Sequence, residues 1–455
     1  MGEQQKTQRV LDDGHPGEAR GTGARGAEPM AAYSESESPS ADDRLMEEVC
    51  ERGNLQQALK RVKANKGAPG VDGMTLQALP AYLREHWPTI RASLLNGTYR
   101  PQPVRRVEIP KPDGGGVRKL GIPSALDRFI QQAVLQVLQR QWDPTFSEFS
   151  YGFRPGRSAH QAVAKAQSYI QAGHCWVVDL DLEKFFDRVS HDILMSRVAK
   201  RVSDRRVLKL IRSFLTAGVL ENGLVGATDE GTPQGGPLSP LLSNLMLDDL
   251  DRELERRGLR FARYADDCNV YVRSERAGQR VMAGLKAFLT SRLKLKVNDA
   301  KSAVARPHTR KFLGFTFLHR AQTKRRIAPK ALDRFKDRVR ELTQRTRGIS
   351  IEQLMGRLKR YLTGWRGYFG FCETPSALQR LDEWVRRRVR CVFWKQWGNS
   401  PNRFRQLTVR GVARELAAQT VGSPHAAWRL SNSPALKLAL TNRYLGSLGL
   451  PSLRP

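Results

Sequence analysis

Two adjacent carboxylates, Asp266 and Asp267, lie between the run RFARYA and the run NVYVR. The β-branched and aromatic residues on both sides make the pair the tip of a tight β-hairpin. Two negative charges at one turn stay ionised only beside a counter-charge. A divalent cation supplies one, and two Mg²⁺ ions held by aspartates are how phosphoryl-transfer enzymes bring an attacking hydroxyl to a triphosphate. Bridging two metals takes a third carboxylate. The segment CWVVDLDLEKFFDRVSHDILM offers Asp179, Asp181 and Asp187 after the apolar run from Cys175 to Val178, which reads as a buried strand. Only one of them can share the hairpin's metals, and Asp181 is our choice. Ser190 is placed to cap the helix that follows.

The elements between these carboxylates must position them. In GTPQGGPLSPLLSNLMLDDLDRELERRG, Gly231, Gly235 and Gly236 surround Gln234 and would let backbone approach a ligand closely. Pro237 or Pro240 would start a helix whose apolar row is Leu242, Met246, Leu250 and Leu254. Asp248, Asp249 and Asp251 then fall on its exposed face and are not metal ligands.

The order of the segments is more specific than any one of them. IPKPDGGGVRKLGIPSALDR, SYGFRPGRSAH, VVDLDLEKFFD, TPQGGPLSPLLSN, YADD, LKLKVNDAKS and KFLGFTF follow one another between about Pro103 and Phe317. This series resembles the ordered blocks of a reverse transcriptase of the group II intron type. QGGPLSP together with YADD looks more like intron-encoded enzymes than retroviral ones, which usually carry Met in the tip, and differs from the Ser-Gln form of diversity-generating retroelements.

The resemblance implies roles for individual residues. Asp181, Asp266 and Asp267 would be the catalytic residues and the ligands of two Mg²⁺ ions. Lys111 and Arg118 would clamp the incoming deoxynucleoside triphosphate from a finger loop, a task suited to the bidentate fork of arginine. Phe186 would stand against the sugar 2′ position and exclude ribonucleotides. Gln234 would contact the templating base pair, and Lys301 would approach the triphosphate.

Composition agrees. Seventy-seven Lys and Arg oppose forty-five Asp and Glu, a formal net charge of +32, which is an electrostatic footprint for a phosphate backbone. Residues 321–455 hold 28 basic and 8 acidic side chains, so structured RNA or primer–template duplex is expected there. A basic helix should begin near Pro329. Leu354, Leu358, Tyr361, Leu362, Trp365 and Tyr368 recur at helical spacing, with Arg357, Lys359, Arg360 and Arg366 on the other face. This segment resembles the thumb, or maturase domain X, of the same family. Arg386, Arg387, Arg388 and Arg390, with Trp384, Trp394 and Trp397, put aromatic surface beside positive charge, a combination suited to RNA.

From about Ser400 the chain resembles the short DNA-binding domain that closes bacterial group II intron proteins of the compact class C. The His-Asn-His endonuclease of many relatives would bring paired CxxC motifs. The five cysteines are scattered, so no zinc is expected, and unpaired cysteines suit a reducing, cytoplasmic setting.

The expected architecture is α+β, a right-hand polymerase with an antiparallel sheet and packed helices in fingers and palm, an α-helical thumb and a small C-terminal domain. Residues 1–41 should form a disordered tail and 42–66 an N-terminal extension patterned by Leu45, Val49, Leu55, Leu59 and Val62. Fingers and palm span 67–320, the thumb 321–399 and the DNA-binding domain 400–455. No signal peptide or membrane span is expected. The function implied is an RNA-directed DNA polymerase and maturase that binds its own intron RNA, assists splicing, and copies the intron into a DNA target during retrohoming. Two alternatives are a splicing-only RNA-binding maturase and a domesticated reverse transcriptase in host defence or repair.

Overall fold

The N-terminal apolar spacing folds as two helices, α1 (Leu45–Val49) and α2 (Arg52–Ala64), because Glu51 is extended (ψ 139°) and interrupts the run. The computed structural model describes residues 44–110, 116–221, 224–226, 230–232, 235–319, 322–344 and 348–454; the expected tail over 1–41, and Lys111 and Gln234, lie outside them. Next come α3 (Leu79–Leu95), β1 (Val104–Pro110), β2 (Val117–Ile122) and α4 (Ala125–Trp142). Ser124 caps α4 by accepting from the Asp127 amide at 3.0 Å. After it lie α5 (Ala159–Gln171), β3 (Trp176–Leu180), α6 (His191–Ala199), α7 (Arg205–Leu215), β4 (Val219–Glu221), β5 (Leu224–Gly226) and α8 (Ser239–Arg256). Strands β6 (Arg260–Tyr264) and β7 (Asp267–Val272), helix α9 (Glu275–Phe288) and strand β8 (Ala303–Ala305) complete this part. Ser190 caps α6 as its position in the sequence suggests.

Two four-stranded sheets result, ordered β2-β1-β4-β5 and β6-β7-β3-β8. In the second, all neighbours are antiparallel. Alternation sends Val178 and Leu180 to the core shared with α8 and α9. Val177 points to the opposite face, and Asp179, two residues on, shares that face with it. A separate aromatic cluster covers the inner part of that face, where Val177, Tyr271 and residues of α5 meet Phe312, Phe315 and Phe317. Tyr368 and Phe369 also pack there.

The rest of the chain forms the hairpin β9 (Phe315–His319) and β10 (Thr323–Ile327), then α10 (Pro329–Leu342), α11 (Ile351–Phe369) and α12 (Pro375–Gln396). Five shorter helices close it: α13 (Ser400–Val409), α14 (Arg414–Val421), α15 (Ala427–Leu430), α16 (Pro434–Ala439) and α17 (Asn442–Ser447). One apolar core runs from Ile327 to Leu453, so α13 to α17 pack on the three long helices without a core of their own.

Three expectations change. Helix α8 is packed on almost every side, so Asp248 and Asp251 are buried and not on an exposed face. Each answers an arginine, as a buried carboxylate must: Asp248 pairs with Arg201 and Arg252, and Asp251 with Arg263, while Asp249 pairs with Arg197. Gly231 and Gly235 of GTPQGG lie close against protein main chain. A Cβ at Gly231 (φ +91°) would meet the Phe186 carbonyl at 2.9 Å, and one at Gly235 (φ +137°) would meet the Gly121 carbonyl at 2.6 Å.

The arginines of α12 also turn inward. Arg386 is buried and ion-paired with buried Asp382 at 2.7 Å. Arg390 donates to the Leu440 carbonyl, Arg387 to the Trp428 carbonyl while lying 4.1 Å over that ring, and Arg388 to the Thr343 hydroxyl. Trp394 and Trp397 are buried too. Arg386 is thus held in the interior instead of being offered to RNA, while half-buried Arg387 and Arg388 tie α12 to the C-terminal helices and to the end of α10. The Arg386→Ala variant should lose about 1–3 kcal/mol of stability, since buried Asp382 keeps only the Leu453 amide at 2.9 Å and the Arg454 guanidinium at 3.7 Å. Chemical denaturation should register that loss, and RNA affinity of the folded fraction should stay at the wild-type value.

Candidate active site

Strand register brings the carboxylates together. Leu180 pairs with Cys268 and Tyr264 with Asp267, so Asp181, one residue past β3, comes opposite Asp267 at the start of β7. The tip between β6 and β7 is Ala265 and Asp266. The turn at residues 298–302 fixes the backbone of Asp181: its amide donates to the Ser302 hydroxyl at 3.0 Å, and its carbonyl accepts from the Asn298 amide at 2.8 Å. That turn also carries Lys301, whose Nζ lies 4.0 Å from Asp181 Oδ1.

The electrostatics follow from the crowding. Asp267 reaches solvent, yet lost hydration and then the charges of Asp266, Asp179 and Asp181 push its carboxyl up to about 7. Asp266 is raised by burial and by Asp181, against the pull of Arg118 and Arg263. Arg118, exposed on β2 of the other sheet, is near enough for its charge to act on Asp266. Asp179 is raised mainly by burial, against Arg310, which binds it at 2.7–2.8 Å. Asn269, with its amide nitrogen turned inward, donates to the other Asp179 oxygen at 3.0 Å. Both oxygens of Asp179 are thus engaged by protein.

Phe186 is half-buried beside Phe185, with ring centroids 5.2 Å apart. Its carbonyl accepts from the Thr232 amide at 2.7 Å, and the Gly231 amide donates to Val189 at 2.8 Å, so the start of the TPQGG segment is stitched beside it. Among the thumb cations, Lys359, Arg360 and Arg366 are exposed and Arg357 is half-buried. Arg357 and Arg360 line a groove of about 550 Å³ between α10 and α11, with Arg338, Glu341, Leu342 and Tyr361.

Sequence reasoning missed Arg263, Asn244 and Arg310. The signal for Arg263 was a charge inside the apolar strand run RFARYA, which demands a buried acid nearby. Arg310 left no such signal.

The donor set fits a hard cation: oxygen ligands, crowded, in excess of their counter-charges. Among the described residues no group of three or more His, Cys, Asp or Glu side chains is gathered to hold a metal by itself. No helix of the described residues is long and apolar enough to cross a membrane.

A carboxylate-bearing antiparallel sheet approached by an arginine from a second sheet, with a helical bundle joined behind it, defines a nucleotidyl-transferring polymerase of the right-hand class. The family model "Reverse transcriptase (RNA-dependent DNA polymerase)" matches residues 109–317, and "Group II intron, maturase-specific domain" matches 332–411. Protein YkfC of Escherichia coli (strain K12) is 34% identical over 339 residues, 65% of this chain and 87% of its own length. The group II intron-encoded protein LtrA of Lactococcus lactis subsp. cremoris is 38% identical over 206 residues, 45% of this chain and 34% of its own. The putative COX1/OXI3 intron 2 protein of Saccharomyces cerevisiae is 33% identical over 205 residues, 44% and 23% respectively. The alignments thus span most of the first relative but only 34% and 23% of the other two. The chain belongs to the reverse transcriptases, RNA-directed DNA polymerases that are in general Mg²⁺-dependent, and carries the maturase-specific domain of the group II intron branch, which implies intron RNA as a ligand.

The raised Asp267 carboxyl has a stability consequence. A folded-state value of about 7 against an ordinary 3.8 means that the folded protein holds this proton more tightly than the unfolded chain. The group therefore destabilises the metal-free fold increasingly as pH rises from about 4 to about 7. Asp267→Asn should raise the melting temperature in chelator by about 1–2 °C at pH 8 and leave it unchanged at pH 4.5. An equal melting temperature at pH 8 would show that Asp267 is not electrostatically crowded.

Proposed function

We propose that this protein copies its own group II intron RNA into DNA from a primer in the target site and holds that RNA for splicing, in the cytoplasm. The observation that carries the polymerase reading is Asp181 set opposite Asp267, with cations from two separate elements, Lys301 and Arg118, near the site carboxylates.

Asp181, Asp266 and Asp267 would hold two Mg²⁺ ions. When bound, these lower the pKa of the primer 3′-hydroxyl and neutralise the departing pyrophosphate. The protein's own part is placement and charge. The strand register fixes Asp181 against the hairpin before substrate arrives. Arg118 and Lys111 would grip the phosphates of the deoxynucleoside triphosphate from the finger side, and Lys301 from the side of Asp181. Gln234 would lie along the templating base pair. Phe186 would fill the space that a 2′-hydroxyl needs.

The maturase part would use exposed charge. Lys359, Arg360 and Arg366, with half-buried Arg357, present cations on α11 at and beside the groove, and each phosphate they neutralise releases counterions. We assign the thumb to α10 through α12. The DNA-binding role falls to α13 through α17, packed against them.

These two parts should separate. Asp266→Ala should abolish cDNA synthesis on a primed template, because a lost ligand removes transition-state charge stabilisation, while intron RNA binding and splicing at low Mg²⁺ persist. Replacing Lys359, Arg360 and Arg366 with Ala should do the reverse: splicing falls, and the decline of RNA affinity between about 50 and 200 mM salt becomes shallower. An Asp266→Ala protein that makes cDNA would refute the site, and one that cannot splice would refute the maturase reading. Phe186→Ala should raise ribonucleotide incorporation relative to deoxyribonucleotide, since the ring acts by occupying space. An unchanged ratio in single-nucleotide extension would return Phe186 to a packing role.

A further inference from the structure

The guanidinium of Arg263 is buried beneath the carboxylate turn, with no exposed surface. Its Nε donates to Asp251 Oδ1 at 2.7 Å and its Nη2 to Asp251 Oδ2 at 2.5 Å. Nη1 donates to Asn244 Oδ1 at 3.1 Å and to the main-chain carbonyl of Ala265 at 2.9 Å. Asn244 and Asp251 stand seven residues apart on α8, hence on one face of that helix. Asn244 Nδ2 in turn donates to the Gly152 carbonyl at 2.8 Å. Gly152 presses on the turn from the other side, where a Cβ would meet the Ala265 amide nitrogen at 2.3 Å. The Arg263 backbone is held as well: its amide donates to Phe149 at 2.9 Å and its carbonyl accepts from Tyr151 at 2.8 Å.

All of this converges on Ala265, whose φ is +57°. A residue with a Cβ is disfavoured there and keeps the conformation only when its surroundings impose it. The next residue is Asp266 and the one after is Asp267. A buried ion pair is a poor explanation by itself, because apolar residues of similar volume usually stabilise a fold as well or better. The planar fork supplies geometry instead, spanning a carboxylate and a main-chain carbonyl at once, which a lysine cannot do.

We propose that Arg263, braced by Asp251 and Asn244, is a positioning residue that fixes the turn and so sets where Asp266 and Asp267 stand relative to Asp181 on the neighbouring strand. This rests on the reading of those aspartates as the metal-holding residues. Small displacements at such a centre are expensive in rate, about 10²-fold for about 1 Å.

The test replaces the pair by apolar residues, Arg263→Met with Asp251→Leu, so that the interior stays packed while the Ala265 carbonyl loses its donor. Thermal melting should stay within a few degrees of wild type, and primer–template affinity and the KM for nucleotide within about twofold, as neither contact is touched. Binding of Mn²⁺, read from the electron paramagnetic resonance signal of the free ion with no nucleotide present, should weaken by about tenfold, and kcat should fall by about 10- to 100-fold. Wild-type Mn²⁺ binding and kcat would overturn the proposal. Should the double variant fail to fold, Asn244→Ala decides. It leaves the Arg263–Asp251 pair whole and releases Nη1 and Gly152, and should lower both Mn²⁺ affinity and kcat by about threefold or more; wild-type values there overturn the proposal equally. Asp266→Ala, run alongside, separates the two levels: if it still synthesises DNA the metal-site reading itself fails, whereas a dead Asp266→Ala beside a fully active double variant removes only the role of Arg263.

Discussion

Negative charge confined to one end of a four-stranded sheet is the constraint around which the rest of the molecule is arranged. The register of β3 and β7 brings Asp181 opposite Asp267, with Asp266 beside it in the turn, and burial together with the neighbouring carboxylates raises the Asp267 carboxyl well above its ordinary range. Among the described residues, Lys311 also acts on Asp267 and Asp179, yet the Asp267 carboxyl stays raised. Cations from below, Arg263 and Arg310, engage Asp251 and Asp179 and hold the scaffold. Cations from the open side, Arg118 and Lys301, come near the site carboxylates without close pairing. On the proposed reading, metal ions arriving with a phosphate-bearing substrate would complete the neutralisation.

Much of this was legible in the sequence because it depends on local periodicity. The hairpin around YADD, the strand before Asp181, the cap at Ser190 and the apolar row of α8 are all period-two or period-3.6 signals carried by neighbouring residues. What escaped depends on contacts between distant elements. Asp251 looked like a surface acid because nothing in α8 announces that β6 will place Arg263 against it. The α12 arginines looked like an RNA surface for the same reason: Asp382 sits one turn away, but the C-terminal helices that bury the pair were not in view. Glycines in GTPQGG suggested backbone close to a ligand, and the close neighbours of Gly231 and Gly235 are main chain at Phe186 and Gly121, contacts between elements that local sequence does not reveal.

The second half of the chain spends its positive charge in two ways. Cations on α11 remain outside, along a groove and beside it, while those on α12 are drawn into bonds with Asp382, Thr343, Trp428 and Leu440. A single core from Ile327 to Leu453 makes the long helices and the short ones that follow one mechanical body. That body meets the sheet through aromatic contact, with Tyr368 donating its hydroxyl to the Leu313 carbonyl at 2.8 Å and its own carbonyl 2.8 Å from His160 Nε2. On the proposed reading, RNA held on the helices would thereby be tied to the sheet that carries the carboxylates.

The central claim is that the carboxylate set is incomplete without substrate phosphates. Counting bound Mn²⁺ by calorimetric titration, first on the free protein and then with a dideoxy-terminated primer–template and the next correct nucleotide, tests it directly. The account predicts weak binding to the free protein and two tightly held ions per chain in the complex. Two tightly held ions on the free protein, or a complex that binds none, would contradict it.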